Sequence, residues 1–209
     1  LPAAGVFNSY VALATALPYA GDLAQDVLAP GLNTYGGGLN ANGVYYINTG
    51  GNEIELDGAR LYGTLVIQGD CRVDNQALLQ PFRTDYPVLI VSGNLRVTTN
   101  SQNALLSEST YSTNFNPAGA AYSGSTDSDQ NDVYLNEIQG LVHVRGNLTL
   151  DGTARLRGVV ICEGQTYVYG SDVELVYDPA IRAAPPVGYD IPSYVLSSHG
   201  QSGQRAAAP

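Results

Sequence analysis

The chain has 209 residues, 44% of them hydrophobic, and a formal net charge of −10. That length suits one sizeable domain or two small ones, and the acidic balance argues against a nucleic-acid or anionic-membrane partner, since both need a basic stripe. All nine cationic residues are arginine, which excludes Schiff-base chemistry and a P-loop phosphate site, because each requires a lysine amine.

Residues 1–42 read as an N-terminal helical cap followed by a Gly-rich link. The stretch VFNSYVALATAL places apolar residues at 6, 7, 10, 11, 13, 14 and 17, a helical spacing that Pro18 closes. Asp22 predicts a second short helix through LAQDVLA. The chain does not begin with methionine and contains no run of about 18 apolar residues. It is therefore expected to be a piece of a longer protein, tethered by a segment ahead of it, with no membrane insertion of its own.

Residues 43–178 carry a repeat. Four words, TLVIQGDCRV, VLIVSGNLRV, LVHVRGNLTL and VVICEGQTYV, align on Gly69, Gly93, Gly146 and Gly164. Apolar residues recur two and four places before each glycine, and mostly two and four places after it. This period of two marks strands with one face in a core. The position after the glycine stays polar: Asp70, Asn94, Asn147, Gln165. A second word, LDGARLYG at 56–63, returns as LDGTARLRG at 150–158 in a different order relative to the first. Interleaved words suit successive turns of a coil better than a duplicated domain. The predicted fold is all-β, a right-handed parallel β-helix (solenoid) with rungs of roughly 20 residues; an antiparallel sandwich of repeated hairpins is the alternative. The glycine lets the chain bend or another backbone approach.

Three places before the glycine, the outward column reads Val66, Ile90, His143, Ile161. A large apolar patch is rarely left open to water, so the helix with Val6, Tyr10, Leu13 and Leu17 is expected to cover it. His143 in such a column reads as packed or interfacial. Cys71 and Cys162 are too few for a disulfide framework or a zinc site. Both fall in inward columns, where free thiols behave as small hydrophobes.

Between these words, at about 98–136, lies a long stretch rich in Ser, Thr, Asn, Gly and Ala, predicted as an irregular insertion. Within it, Asp127, Asp129 and Asn131 alternate in DSDQND. Alternating oxygens can wrap calcium, although Asp132 stands where an EF-hand needs glycine. A solvated acidic loop is the competing reading. Arg60 and Arg155 hold matching places in the second word and are expected to form an ion-pair row with Asp57 and Asp151. The remainder, 179–209, is Pro-rich and predicted to be a largely disordered tail.

In order along the chain, GVYYI (43–47), ARLYGTLVI (59–67), PVLIVSGNL (87–95), IQGLVHVRGNL (138–148), RGVVI (157–161) and YDP…PPVGY (177–189) resemble the C-terminal β-helix region of bacterial envelope proteins related to PilX-type pilus assembly. The closing word departs from that pattern, with Tyr189 in place of phenylalanine and no tryptophan. The resemblance implies a non-enzymatic structural or adhesive module at the cell envelope or outside the cell. It also implies other envelope or pilus proteins as partners, and it supplies no catalytic residues. The Arg/Asp words keep a second class open: a carbohydrate-active β-helix enzyme or a polysaccharide-binding domain.

Overall fold

Parallel strands bury branched aliphatics best when like residues stack on like, and the glycine words do so. The computed structural model describes residue 2 and residues 5–99, 105–170 and 172–189. In chain order these form helix α1 (Val6–Leu13), the short strands β1 (Thr15–Ala16), β2 (Asp22–Ala24), β3 (Val27–Ala29) and β4 (Leu32–Asn33), and the long strands β5 (Val44–Tyr62) and β6 (Thr64–Gln80). Then come β7 (Leu89–Val91), β8 (Leu95–Thr99), β9 (Leu106–Ser107), helix α2 (Glu108–Tyr111), β10 (Val133–Tyr134), β11 (Glu137–Val144), β12 (Leu148–Gly152), β13 (Arg155–Cys162), β14 (Thr166–Val168), β15 (Glu174–Tyr177) and helix α3 (Pro179–Ala183). The chain is mostly β, with 49% strand and 9% helix. Thirteen strands join one mostly parallel sheet, and β9 and β10 form a separate antiparallel pair.

Register puts each predicted column together. Tyr45, Leu65, Leu89, Val142 and Val160 are successive neighbours, as are Ile47, Ile67, Val91, Val144 and Cys162. Beyond the glycines, Ile54, Cys71, Leu95, Leu148 and Thr166 align, then Leu56, Val73, Val97, Leu150 and Val168. Most of these side chains share one buried core. Burial fails only at the last strands, where Val168 is 56% exposed because, among the described residues, β14 pairs with β12 alone and ends the sheet. A straight strand as long as β5 would reach about 60 Å; instead β5 bends at Gly50, Gly51 and Gly58, all at positive φ, and its register to β6 shifts at two of these bends.

The glycines approach one another along their own column. Gly93 N–H donates to Gly69 O at 2.9 Å, Gly146 to Gly93 at 2.9 Å and Gly164 to Gly146 at 3.1 Å. A Cβ on Gly146 would lie 2.5 Å from Gly93 O, and one on Gly164 2.5 Å from Gly146 O. The polar row climbs beside them. Asp70 Oδ1 accepts from Asn94 N at 2.7 Å, Asn94 Oδ1 from Asn147 N at 2.9 Å, and Asn147 Oδ1 from Gln165 N at 2.9 Å.

Helix α1 covers the outer column. Val6, Phe7 and Tyr10 pack with Val66, Ile90, Leu141 and Tyr189, and Ile161 borders the cluster. Tyr10 stands edge-on to Tyr86 at 5.4 Å, and its hydroxyl donates to Val187 O at 3.0 Å. Two members of the expected cover lie elsewhere: Leu13 is 45% exposed, and Leu17, past the end of the helix, enters the central core. The second predicted helix does not form. Residues 22–29 instead build β2 and β3, with Leu23 beside Leu56 and Leu28 beside Leu61, and Gln25 at positive φ between them. Pairing to β5 overrides a weak helical preference. Residues 179–189 of the predicted tail form α3 and seat Tyr189 in the outer cluster; its remaining part, 190–209, lies outside the described residues. No described helix is long and apolar enough to cross a membrane.

Two outcomes follow. Gly146→Ala should cost about 2 kcal/mol or more in urea unfolding, since backbone must move. Gly38→Ala, meeting only a methyl at 3.7 Å, should stay within about 0.5 kcal/mol. On the outer face, Tyr10→Ala should cost about 3–5 kcal/mol and Leu13→Ala about 0.5 kcal/mol or less.

Candidate functional site

The insertion folds back on the side of the sheet through apolar contact. Leu106, Phe115, Ala120 and Tyr134 pack on Val27, Ala29 and Leu78. Along β5 the side chains of Ala59 and Leu61 face the central core, so Arg60 between them points the other way, into the base of the insertion. Its guanidinium is fully buried and donates to the carbonyl oxygens of Phe115, Ala120 and Ala121, with the Tyr122 ring 5.4 Å away. Burial pushes Arg60 down from its ordinary pKa. The expected ion-pair row is thus corrected. Asp57 accepts from Tyr111 Oη at 3.1 Å, Asp151 pairs with Arg96 at 3.0 Å, and Arg155 pairs with Glu174 at 2.8 Å. Arg60 instead serves the insertion, through the three carbonyls it binds.

Beyond Phe115 the insertion gathers carboxylates. Glu108, at the start of α2, is wholly buried. Its Oε1 accepts from Phe115 N at 2.6 Å and Tyr134 Oη at 2.8 Å, and its Oε2 from Asp132 N at 3.0 Å. One oxygen each from Glu108, Asp127 and Asp132 lies within 4.8 Å of the others. Asn116 Nδ2 bridges Asp127 Oδ2 and Asp132 Oδ2, each at 3.1 Å. Asn116 is only 3% exposed, and its Oδ1 is buried without a hydrogen-bond partner. An unpaired buried oxygen of this kind costs about 1–3 kcal/mol. Desolvation, followed by the charges of Asp127 and Glu108, pushes the Asp132 carboxyl above its ordinary pKa.

Of the three residues proposed from sequence as metal ligands, Asp127 reaches this cluster. Asp129 and Asn131 do not: Asn131 N donates to Asp129 Oδ1 at 3.0 Å, and both are exposed. Sequence spacing missed Glu108, Asp132 and Asn116 because contacts made by the fold, not alternation along the loop, bring them together. The only sequence signal for Glu108 is an acidic residue isolated in a Ser/Thr stretch.

On the opposite, outer face a polar cleft of about 420 Å³ is lined by Phe7, Asn8, Gln68, Ser92, Arg145 and Glu163. His143, 1% exposed, is bonded to the lining residue Glu163. Its Nδ1 is 2.9 Å from Tyr189 Oη and its Nε2 3.0 Å from Glu163 Oε1. Arg145 Nε sits 3.9 Å from Glu163 Oε2, and its guanidinium carbon Cζ is 6.0 Å from the Phe7 ring centre. Cys71 is buried, Cys162 is partly so, and both are free thiols.

No protein-family model, curated protein or solved structure matches this chain.

Burial holds His143 below its ordinary pKa of 6.5; the bond to Glu163 opposes that shift and Arg145 adds to it. As pH falls below 6.5 the unfolded chain binds this proton first. The stability contributed by neutral His143 is therefore complete above pH 6.5 and is lost between there and the lower folded value. Urea melts at pH 7.5 and 5.5 should show wild type weakening more than His143→Gln, which lacks that step.

Proposed function

We propose that the chain is a right-handed parallel β-helix acting as a non-enzymatic structural or adhesive module of a bacterial cell-envelope or pilus-associated protein. One observation carries the reading: the recurring residues are engaged in stacking. The glycine amides and one side-chain oxygen each of Asp70, Asn94 and Asn147 beside them bond to the neighbouring strand, so the repeated residues serve to build length and stiffness. Right-handed winding is favoured because parallel strands joined by crossovers take that hand in about 98% of cases. The order of apolar-glycine words, which resembles that of PilX-type envelope proteins, supports an extracytoplasmic place and other envelope or pilus proteins as partners. The module would sit outside the membrane.

A second reading, a polysaccharide-binding domain or carbohydrate-active enzyme, is favoured by the outer cleft. An aromatic ring, an arginine and a carboxylate border it, a set that can stack on a sugar and bond its hydroxyl or acid groups.

Two measurements decide between them. Incubated with acidic polysaccharides such as polygalacturonate and alginate, the protein should release no reducing ends or unsaturated products. In intact cells of its own host, the full-length gene product should be cut by added protease. Product release that Arg145→Ala abolishes would overturn the structural reading, as would a gene product found only in the cytosol.

A further inference from the structure

We infer that Glu108, Asp127, Asp132 and Asn116 form a divalent-cation site, with calcium the ion its all-oxygen donor set suits. Three carboxylates converge within 4.8 Å, and among the described residues none of them forms a salt bridge. Arg60 acts electrostatically on Glu108, but its terminal nitrogens are occupied by the carbonyls of Phe115, Ala120 and Ala121. One positive charge therefore faces three negative ones.

Asn116 is the independent observation. Its side chain is buried against Asp127 and Asp132, with the nitrogen on both carboxylates and the oxygen unpartnered. A half-turn of the amide exchanges the two atoms. The oxygen then faces the carboxylates, an arrangement that is repulsive without a cation and becomes an oxygen shell with one. Calcium accepts six to eight oxygens at 2.3–2.6 Å, carboxylates and amide carbonyls among them, with water completing the set. Tyr134, bonded to Glu108 at 2.8 Å and 3.4 Å from Asp132 Oδ2, would hold the shell from below.

The site joins the two arms of the insertion. Glu108 comes from its outgoing arm and Asp127 and Asp132 from its return, and β9 and β10 pair just beyond. Bound calcium would clasp these arms over the Arg60 anchor and stiffen one side of the sheet. The position of Asp127 at the rim gives an ion access from solvent.

Calorimetry of the whole protein with calcium chloride should show one equivalent binding, with an affinity in the range of extracellular calcium modules, about 10⁻⁴–10⁻³ M. About 10 mM calcium should raise Tm by about 3–10 °C, and chelator should reverse the rise. Terbium should luminesce on tyrosine excitation, because Tyr134 adjoins the ligands. Asp132→Asn should weaken binding at least about tenfold, Asp129→Asn, which removes only a neighbouring charge felt by Asp132, should weaken it by no more than about twofold to threefold, and Asn116→Asp, which offers oxygen in either orientation, should tighten it. No heat and no Tm shift in wild type would overturn the site. So would binding that survives Asp132→Asn, binding lost in Asp129→Asn, or a correctly folded Asn116→Asp that binds no more tightly than wild type.

Discussion

The structure depends on how closely one backbone approaches the next along the column Gly69, Gly93, Gly146, Gly164. At these positions the preceding glycine's oxygen would clash with an added Cβ: 2.6 Å away for Gly93 and 2.5 Å for Gly146 and Gly164. Only a residue without a side chain lets the amide reach that oxygen. Once the amides connect, register is fixed, because a slip of one residue would turn every apolar side chain to the other face. The columns of Leu, Ile and Val before and after the bend then have no freedom to mispair, and the polar row is held where each side-chain oxygen meets the next amide.

Regular stacking creates two problems that the rest of the chain solves. The first is the apolar outward column, which α1 and Tyr189 together remove from water. Fully covering Val66 and Ile90, and Ile161 in part, at about 1.5–3 kcal/mol for each fully buried side chain, is a large share of the stability of a domain held by about 5–15 kcal/mol. The second is the insertion, a polar segment with little apolar surface of its own. It is held by a small hydrophobic cluster and by one buried arginine that gathers three of its carbonyls. A buried guanidinium is tolerable there because its two terminal nitrogens meet fixed carbonyls and its face lies near aromatic rings, although its Nε is left buried without a partner.

The columns were legible in the sequence because period-two patterning and a shared glycine both encode them, and both are local signals. The cover was legible in part: Val6 and Tyr10 follow a helical stripe, but Leu17 does not, since its position is set where the chain leaves α1 and joins the sheet. LAQDVLA was misread because seven residues carry too little information to choose between a helix and two strands; the partner β5 chooses, through Leu23 and Leu28. The Arg60 anchor and the carboxylate cluster were illegible for a different reason. Arg60 meets residues 55–61 positions away, and Glu108 meets Asp132 across 24. No spacing rule spans such gaps; only the folded insertion closes them.

The fold rests on one chain of hydrogen bonds, and nuclear magnetic resonance can observe it directly. Scalar couplings across hydrogen bonds, measured on deuterated protein, should link the Gly93 amide to the Gly69 carbonyl, Gly146 to Gly93, and Gly164 to Gly146, in series. Couplings from these amides to any other carbonyls, or from antiparallel neighbours, would contradict the stacked parallel register from which the fold, its cover and its proposed role are all derived.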